Sequence, residues 1–82
     1  MNNKEKVSKW LNTKYRDWIN ETEEIKSRKE LAKYLNVDYT LLTRWLTGSV
    51  LPGNDNVIKL ANKFGPEIYD LLGWEKPIAH NG

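Results

Sequence analysis

The chain has 82 residues, of which 39% are hydrophobic and 29% charged, with a net charge of +2 and no cysteine. For this length we expect one small domain, without a second domain or a large core. The lack of cysteine excludes a disulfide scaffold, thiol catalysis and sulfur-ligated zinc. It also fits a reducing compartment, so we expect a cytoplasmic protein.

The first predicted element is an amphipathic helix over residues ~5–21, the longest of the chain. Its apolar side chains recur at the spacing of a helix that buries one face. These side chains are Val7, Trp10, Leu11, Tyr15, Trp18 and Ile19. The polar run at residues 20–24 breaks the pattern and predicts a connection.

Two short helices are predicted next, joined by a tight turn. Ser27 and Glu30 have the spacing of a capping box, so a second helix begins directly after Ser27. It lasts about eight residues, because Asn36 suits a left-handed C-terminal position and Asp38 is already the N-cap of a third helix. The third helix covers residues 39–46, and its apolar, inward face consists of Leu42, Trp45 and Leu46.

A fourth and a fifth helix complete the prediction. Asn54 or Asp55 is expected to cap the fourth helix, and Pro66 fits the first position of the fifth, which ends at Gly73. The expected inward residues are Val57, Ile58, Leu60, Ala61, Phe64, Ile68, Leu71 and Leu72. The sequence thus predicts an all-α bundle of five helices over residues 1–74 and a flexible tail over residues 75–82.

The second and third helices contain the features that indicate a function. A link of about three residues makes two helices cross steeply, as in a helix-turn-helix. The outward face of the third helix then presents four side chains that form hydrogen bonds: Tyr39, Thr40, Thr43 and Arg44. Because an α-helix fits the major groove of B-DNA, such side chains are able to contact base edges there.

The spacing of Ala32, Val37, Leu42, Trp45 and Gly48 resembles the helix-turn-helix of the Cro and phage-repressor family, also called the xenobiotic-response-element family. The resemblance is close over residues ~27–64, and the order of the helices extends it to residues ~5–73. It implies a lambda-repressor-like five-helix bundle that binds double-stranded DNA as a transcriptional regulator.

By position, the resemblance implies that Tyr39, Thr40 and Arg44 face bases, with Thr43 at the edge of that surface. It also implies that Arg28 contacts a phosphate, and Lys29 beside it is a second candidate. Cations in the first turn of a helix oppose the macrodipole, so their placement favours a nearby phosphate. Solvated surface charge and pairing with an acid are the alternative interpretations.

Three departures from the family pattern are present. Arg28 stands where many members have Gln, and Asn36 where many have Gly. Both substitutions preserve the expected roles, since Asn tolerates a left-handed backbone. The segment at residues 48–52 lacks the Lys or Arg that many members place there, which predicts weaker contact with the DNA backbone.

The distribution of charge and the absence of a long apolar run indicate which class of partner to expect. Residues 1–33 carry nine basic and six acidic side chains and residues 34–82 four and five, so the basic side is N-terminal. No run approaches the roughly 18–20 apolar residues that span a bilayer, and the N-terminus lacks the apolar segment of a signal peptide. We expect a DNA partner and no membrane. The resemblance implies a homodimer through the fifth helix and Trp74; in the alternative, Trp74 folds back on the first helix.

An enzyme is disfavoured, because the one histidine, His80, lies in the tail and no catalytic constellation or metal site is apparent. We expect no cofactor and no small-molecule substrate. The alternative function is a protein-interaction module on the same fold, antitoxin-like or antirepressor-like, with weak or no DNA binding. The modest net charge and the unbasic segment at residues 48–52 favour this alternative.

Overall fold

The structure is a computed structural model that describes residues 2–75. Within this range the chain forms five α-helices and no strand. They are α1 (Asn3–Thr22), α2 (Arg28–Leu35), α3 (Tyr39–Leu46), α4 (Asn54–Phe64) and α5 (Glu67–Leu72). The predicted tail lies, apart from Glu75, outside the described residues, as does His80.

The helix α1 begins earlier than predicted because Asn2 is its N-cap. The Asn2 side chain accepts a hydrogen bond from the Glu5 amide at 2.9 Å, which satisfies one of the free amides of the first turn. At the other end Glu23 adopts a left-handed conformation, with φ of 56°, and ends the helix.

The boundaries predicted for α2 and α3 are those observed, and two details of α4 and α5 were wrong. Gly53 is the N-cap of α4 without a side-chain hydrogen bond, so neither Asn54 nor Asp55 caps this helix. Pro66 is the N-cap of α5 rather than its first residue. Local sequence specifies such boundaries only to within a residue or two.

A further correction concerns Ile58, which was expected to face inward and is 46% exposed. The buried residues of α4 are Val57 and Leu60, with Ala61 and Phe64 packed against the core. These four positions follow the i, i+3, i+4, i+7 pattern of one face. Ile58 lies about 100° around the helix from Val57, so it points away from that face.

The core is formed by all five helices. Its buried members are Val7, Leu11, Leu31, Ala32, Leu35, Leu42, Trp45, Leu46, Val57, Leu60, Ile68, Tyr69 and Leu72. The helix α1 packs against α3 and α5, α2 packs against α3 and α4, and α4 packs against α5. Because α3 lies between α1 and α2, its orientation depends on contacts made by both.

The three tryptophans expected in the core differ in burial. Trp45 is 1% exposed, at the centre of the core. Trp10 and Trp18 are partly buried and pack against the core edge. Trp10 meets Phe64 edge-on at 6.3 Å between ring centroids, and Trp18 stacks on Tyr34 at 4.9 Å. These contacts join α1 to α2 and α4, and such geometries are favourable for aromatic pairs.

Candidate nucleic-acid interface

A short turn sets the angle between α2 and α3. Asn36 adopts a left-handed conformation with φ of 58°, and the Val37 amide donates to the Ala32 carbonyl at 3.0 Å. Asp38 then caps α3, since its Oδ2 accepts from the Leu41 amide at 3.0 Å. The chain therefore leaves one helix and enters the next within three residues, as the capping pattern predicts.

A hydrogen bond from α4 holds this turn from outside. The Lys59 ammonium donates to the carbonyl oxygen of Asn36 at 2.8 Å. The left-handed turn residue is thus fixed by a side chain that lies 23 positions later in the chain. Lys59 was not among the residues singled out from the sequence, because its role depends on how α4 packs.

The C-terminal end of α3 is anchored on α1. The Leu46 carbonyl accepts from the Ser8 hydroxyl at 2.6 Å and from the Asn12 side-chain amide at 2.8 Å. The other end carbonyls of α3 accept from amides that follow the helix, with Arg44 bonded to Ser49 at 2.9 Å. All four carbonyls of the last turn therefore have donors, which defines where α3 ends.

The two faces of α3 separate as expected. Leu42, Trp45 and Leu46 are buried, whereas Tyr39, Thr40 and Arg44 are exposed. The apolar face fixes the helix to the core, and the polar face remains open to solvent. Leu41, which was not singled out from the sequence, is also exposed on this helix.

Thr43 differs from the other three residues predicted to contact bases. It is half-buried, and its hydroxyl oxygen is buried without a hydrogen-bond partner among residues 2–75. In this rotamer the Thr43 hydroxyl does not reach the surface that Tyr39, Thr40 and Arg44 share.

The first turn of α2 carries the two side chains that the sequence suggests as phosphate contacts. Ser27 and Glu30 form the predicted capping box, with the Glu30 amide donating to the Ser27 hydroxyl at 3.2 Å. Arg28 and Lys29 follow the cap and are exposed. The Lys29 ammonium lies 5.8 Å from the centroid of the Tyr39 ring, so side chains from the first turns of α2 and α3 approach each other.

The segment before α2 is positioned by α1. The Tyr15 hydroxyl donates to the Lys26 carbonyl at 2.5 Å. Burial raises the pKa of this phenol, while the nearby Arg28 guanidinium lowers it to a smaller extent. Tyr15 therefore fixes the chain directly before the cap of α2, a role that its place in the apolar stripe of α1 does not reveal.

Lys26 is engaged within the chain rather than free for a ligand. Its ammonium lies 2.6 Å from the Glu24 carboxylate and 3.7 Å from that of Glu30. The hydrogen bond between Lys26 and Glu24 lowers the pKa of Glu24 and raises that of Lys26. The carboxylates of both ion pairs are exposed, so their contribution to stability is small.

Basic and polar side chains surround a shallow groove along the turn, between α2, α3 and the start of α4. We call it the turn groove. Its lining includes Lys29, Lys33, Asn36, Tyr39, Asn56 and Lys59. The sequence offered a signal for Lys33, which lies one helical turn after Lys29. It offered none for Asn56 and Lys59, since α4 reaches this groove only through tertiary packing.

Residues 2–75 also bear on two other classes of function, metal binding and membrane insertion. No group of three or more His, Cys, Asp or Glu side chains is placed to hold a metal ion. None of the helices in this part of the chain has the length and apolarity needed to traverse a bilayer.

Comparison with protein families gives a match to the family described as Helix-turn-helix, over residues 20–70. The match covers well over half of the chain and includes all of α2, α3, α4 and the turn groove. Neither the comparison with curated proteins nor that with solved structures gave a match. The chain belongs to the Cro/C1-type helix-turn-helix family, a family of DNA-binding regulators.

Proposed function

We propose that this protein is a sequence-specific regulator of transcription, a small repressor of phage or bacterial type that acts in the cytoplasm. One observation carries the proposal: the exposed side of α3 is polar apart from Leu41 and lies within reach of a basic side chain from the first turn of α2. This basic side chain is Lys29, whose ammonium lies beside the Tyr39 ring. A phosphate and a base edge of one duplex would be reached together by this arrangement.

In the proposed mechanism α3 enters the major groove. Tyr39, Thr40 and Arg44 contact base edges, with Arg44 the most selective of them because its guanidinium bonds guanine in a bidentate manner. Thr43 contacts a base edge in this mechanism only if its hydroxyl turns outward on binding, since the oxygen is buried in the free protein.

Phosphates are contacted by the first turn of α2. Arg28 and Lys29 are exposed there beside free amides of the helix N-terminus, and the two features together attract an anion. Lys33 in the turn groove adds a positive charge on the same side of α2. Occupancy of the operator by the protein then represses transcription directly.

Dimerisation is part of the proposal. Trp74 follows α5 and is 39% exposed, and its amide donates to the Tyr69 carbonyl at 2.9 Å, which holds this end of the chain against the helix. A homodimer through α5 and Trp74 would place two copies of α3 on half-sites about one turn of DNA, ~34 Å, apart.

A protein-interaction module with little DNA binding is the second candidate. The segment that follows α3 favours it, because residues 48–52 carry no positive charge and Leu51 is 38% exposed. In this case α3 or the segment after it would contact a protein rather than a duplex.

A salt titration of binding to random duplex DNA separates the two candidates. For a regulator, log K falls linearly with log salt, with a slope of about −0.9 for each phosphate contacted. Selection of bound sequences from a random duplex pool then reports the operator. Absent binding, or binding that salt does not weaken, contradicts the first proposal and supports the second.

A further inference from the structure

The segment that joins α1 to α2 exposes an isoleucine among acids. Ile25 is 96% exposed, far more than any other large hydrophobic side chain in residues 2–75. Three carboxylates precede it, those of Glu21, Glu23 and Glu24, and only Glu24 forms an ion pair within this part of the chain. We call residues 21–25, which are the last two residues of α1 and the three that follow it, the acidic loop. An exposed apolar side chain with unpaired acids beside it suits a basic surface with an apolar floor.

Such a surface lies between α1 and α5. Its floor is formed by Trp10 and Leu71, and three lysines surround the floor: Lys6, Lys9 and Lys14. Lys14 is paired with Glu67 at 3.7 Å, and no ion pair among residues 2–75 involves Lys6 or Lys9. We call this surface the lysine groove. Its apolar floor is complementary to Ile25, and the ammonium groups of Lys6 and Lys9, which are unpaired within the described part of the chain, are complementary to the carboxylates of the acidic loop.

Within one molecule Ile25 and Glu23 cannot reach the part of the lysine groove formed by Lys6, Lys9 and Trp10. Lys9 and Glu23 are 14 residues apart in sequence, and the helix α1 spans nearly all of that interval. At 1.5 Å per residue this separation is about 21 Å along the helix axis. Ile25 and Glu23 of one chain are therefore available to this part of the lysine groove only in another chain.

We propose that two copies of this protein associate head to tail, with the acidic loop of one copy in the lysine groove of the next. Ile25 packs against Trp10 and Leu71, while Glu21 and Glu23 pair with Lys6 and Lys9. Different surfaces of the two copies meet, so the contact is heterologous. One copy of the pair keeps an unoccupied lysine groove and the other keeps an unbound acidic loop.

This contact is small and hence weak. One isoleucine and two ion pairs bury far less than the roughly 1,200 Å² of a stable interface. The contact shares α5 with the proposed homodimer, because Leu71 lines the lysine groove, but Trp74 does not line that groove. It does not depend on DNA binding, since it uses none of the residues proposed to contact a duplex.

The test is a dilution series of the full chain followed by NMR, from about 1 mM to about 20 μM, a range suited to weak affinities. We expect concentration-dependent shifts at Ile25 and Glu23 and at the Trp10 indole N–H, which is buried without a partner among residues 2–75. Shifts absent throughout, or confined to α5 and Trp74, would overturn the proposal.

Charge reversal makes the test specific. A Lys6→Glu, Lys9→Glu variant and a Glu21→Lys, Glu23→Lys variant should each lose the dilution shifts, because groove and loop then carry the same sign of charge. An equimolar mixture of the two variants should recover the shifts, since each groove then meets a loop of opposite charge. Loss without recovery in the mixture overturns the proposal, provided that both variants keep the folded spectrum.

Arg16→Glu is the matched control, because Arg16 is exposed on α1 and does not line the groove. This variant should retain the dilution shifts of the unmodified chain. Ile25→Ser should weaken association at least severalfold without a change in charge. Unchanged association in Ile25→Ser, or loss of association in Arg16→Glu, contradicts the assigned surfaces.

Discussion

The hydroxyl of Ser8 and the carbonyl of Leu46 are 38 residues apart in sequence and 2.6 Å apart in the structure. This hydrogen bond joins α1 to the last turn of α3, and the amide of Asn12 donates to the same carbonyl at 2.8 Å. The angle at which α3 presents its polar face therefore depends on α1, which carries none of the residues proposed to contact DNA.

Removal of these donors should destabilise the protein in a non-additive way. Ser8→Ala or Asn12→Ala alone leaves one donor on the Leu46 carbonyl and should cost about 0.5–1.5 kcal/mol of unfolding free energy. The double variant leaves the carbonyl without either donor and should cost more than the sum of the two. Urea denaturation measures all three values.

Thr13→Ala is the control for this series. Its hydroxyl donates to the Lys9 carbonyl on the exposed side of the same helix. The substitution should change the unfolding free energy by less than about 0.5 kcal/mol. A strictly additive double variant would mean that the two α1 donors do not share the Leu46 carbonyl in solution.

The left-handed conformation at Asn36 gives a second prediction. Asn36→Ala should lower the unfolding free energy by about 1–2 kcal/mol, because an L-residue with a Cβ is disfavoured there. Asn36→Gly removes the same side chain without that penalty and should differ from the original chain by less than about 0.5 kcal/mol. Thermal unfolding of both variants isolates the backbone effect, and equal losses would contradict it.

Arg44 and Arg28 should affect DNA binding differently. Arg44→Ala should cost roughly 1–3 kcal/mol on the selected operator and relax preference at one base pair. Arg28→Ala should weaken binding to all duplexes alike and reduce the magnitude of the salt slope by about one. Fluorescence titrations on operator and random duplexes measure both effects. Normal operator binding by Arg44→Ala would show that the proposed orientation of α3 is wrong.

Thr43→Val tests whether the buried hydroxyl is used. Valine has nearly the same shape, so removal of an unpartnered buried oxygen should leave stability unchanged or raise it by up to about 1 kcal/mol. DNA affinity should be unchanged if the hydroxyl stays inside.

Thr40→Val on the exposed face is the matched control, with unchanged stability and weaker operator binding expected. A tenfold or greater loss of affinity in Thr43→Val, which is about 1.4 kcal/mol, would show that this hydroxyl turns outward to meet the duplex.

The local sequence determined the helix-turn-helix itself. Ser27 with Glu30, Asn36 and Asp38 act on backbone groups within a few positions of themselves, so their spacing alone placed α2, the turn and α3. The polar face of α3 followed from its periodicity, because Leu42 and Trp45 had to face inward.

Other features depended on contacts between distant parts of the chain. Periodicity assigned Ile58 to the core, but the packing of α4 turned it outward. The burial of the Thr43 hydroxyl, the bond from Lys59 to Asn36 and the anchoring of Leu46 by Ser8 arise only when the helices pack together. A sequence pattern specifies which face of a helix is apolar, whereas which side chain meets which backbone group is decided by how the helices cross.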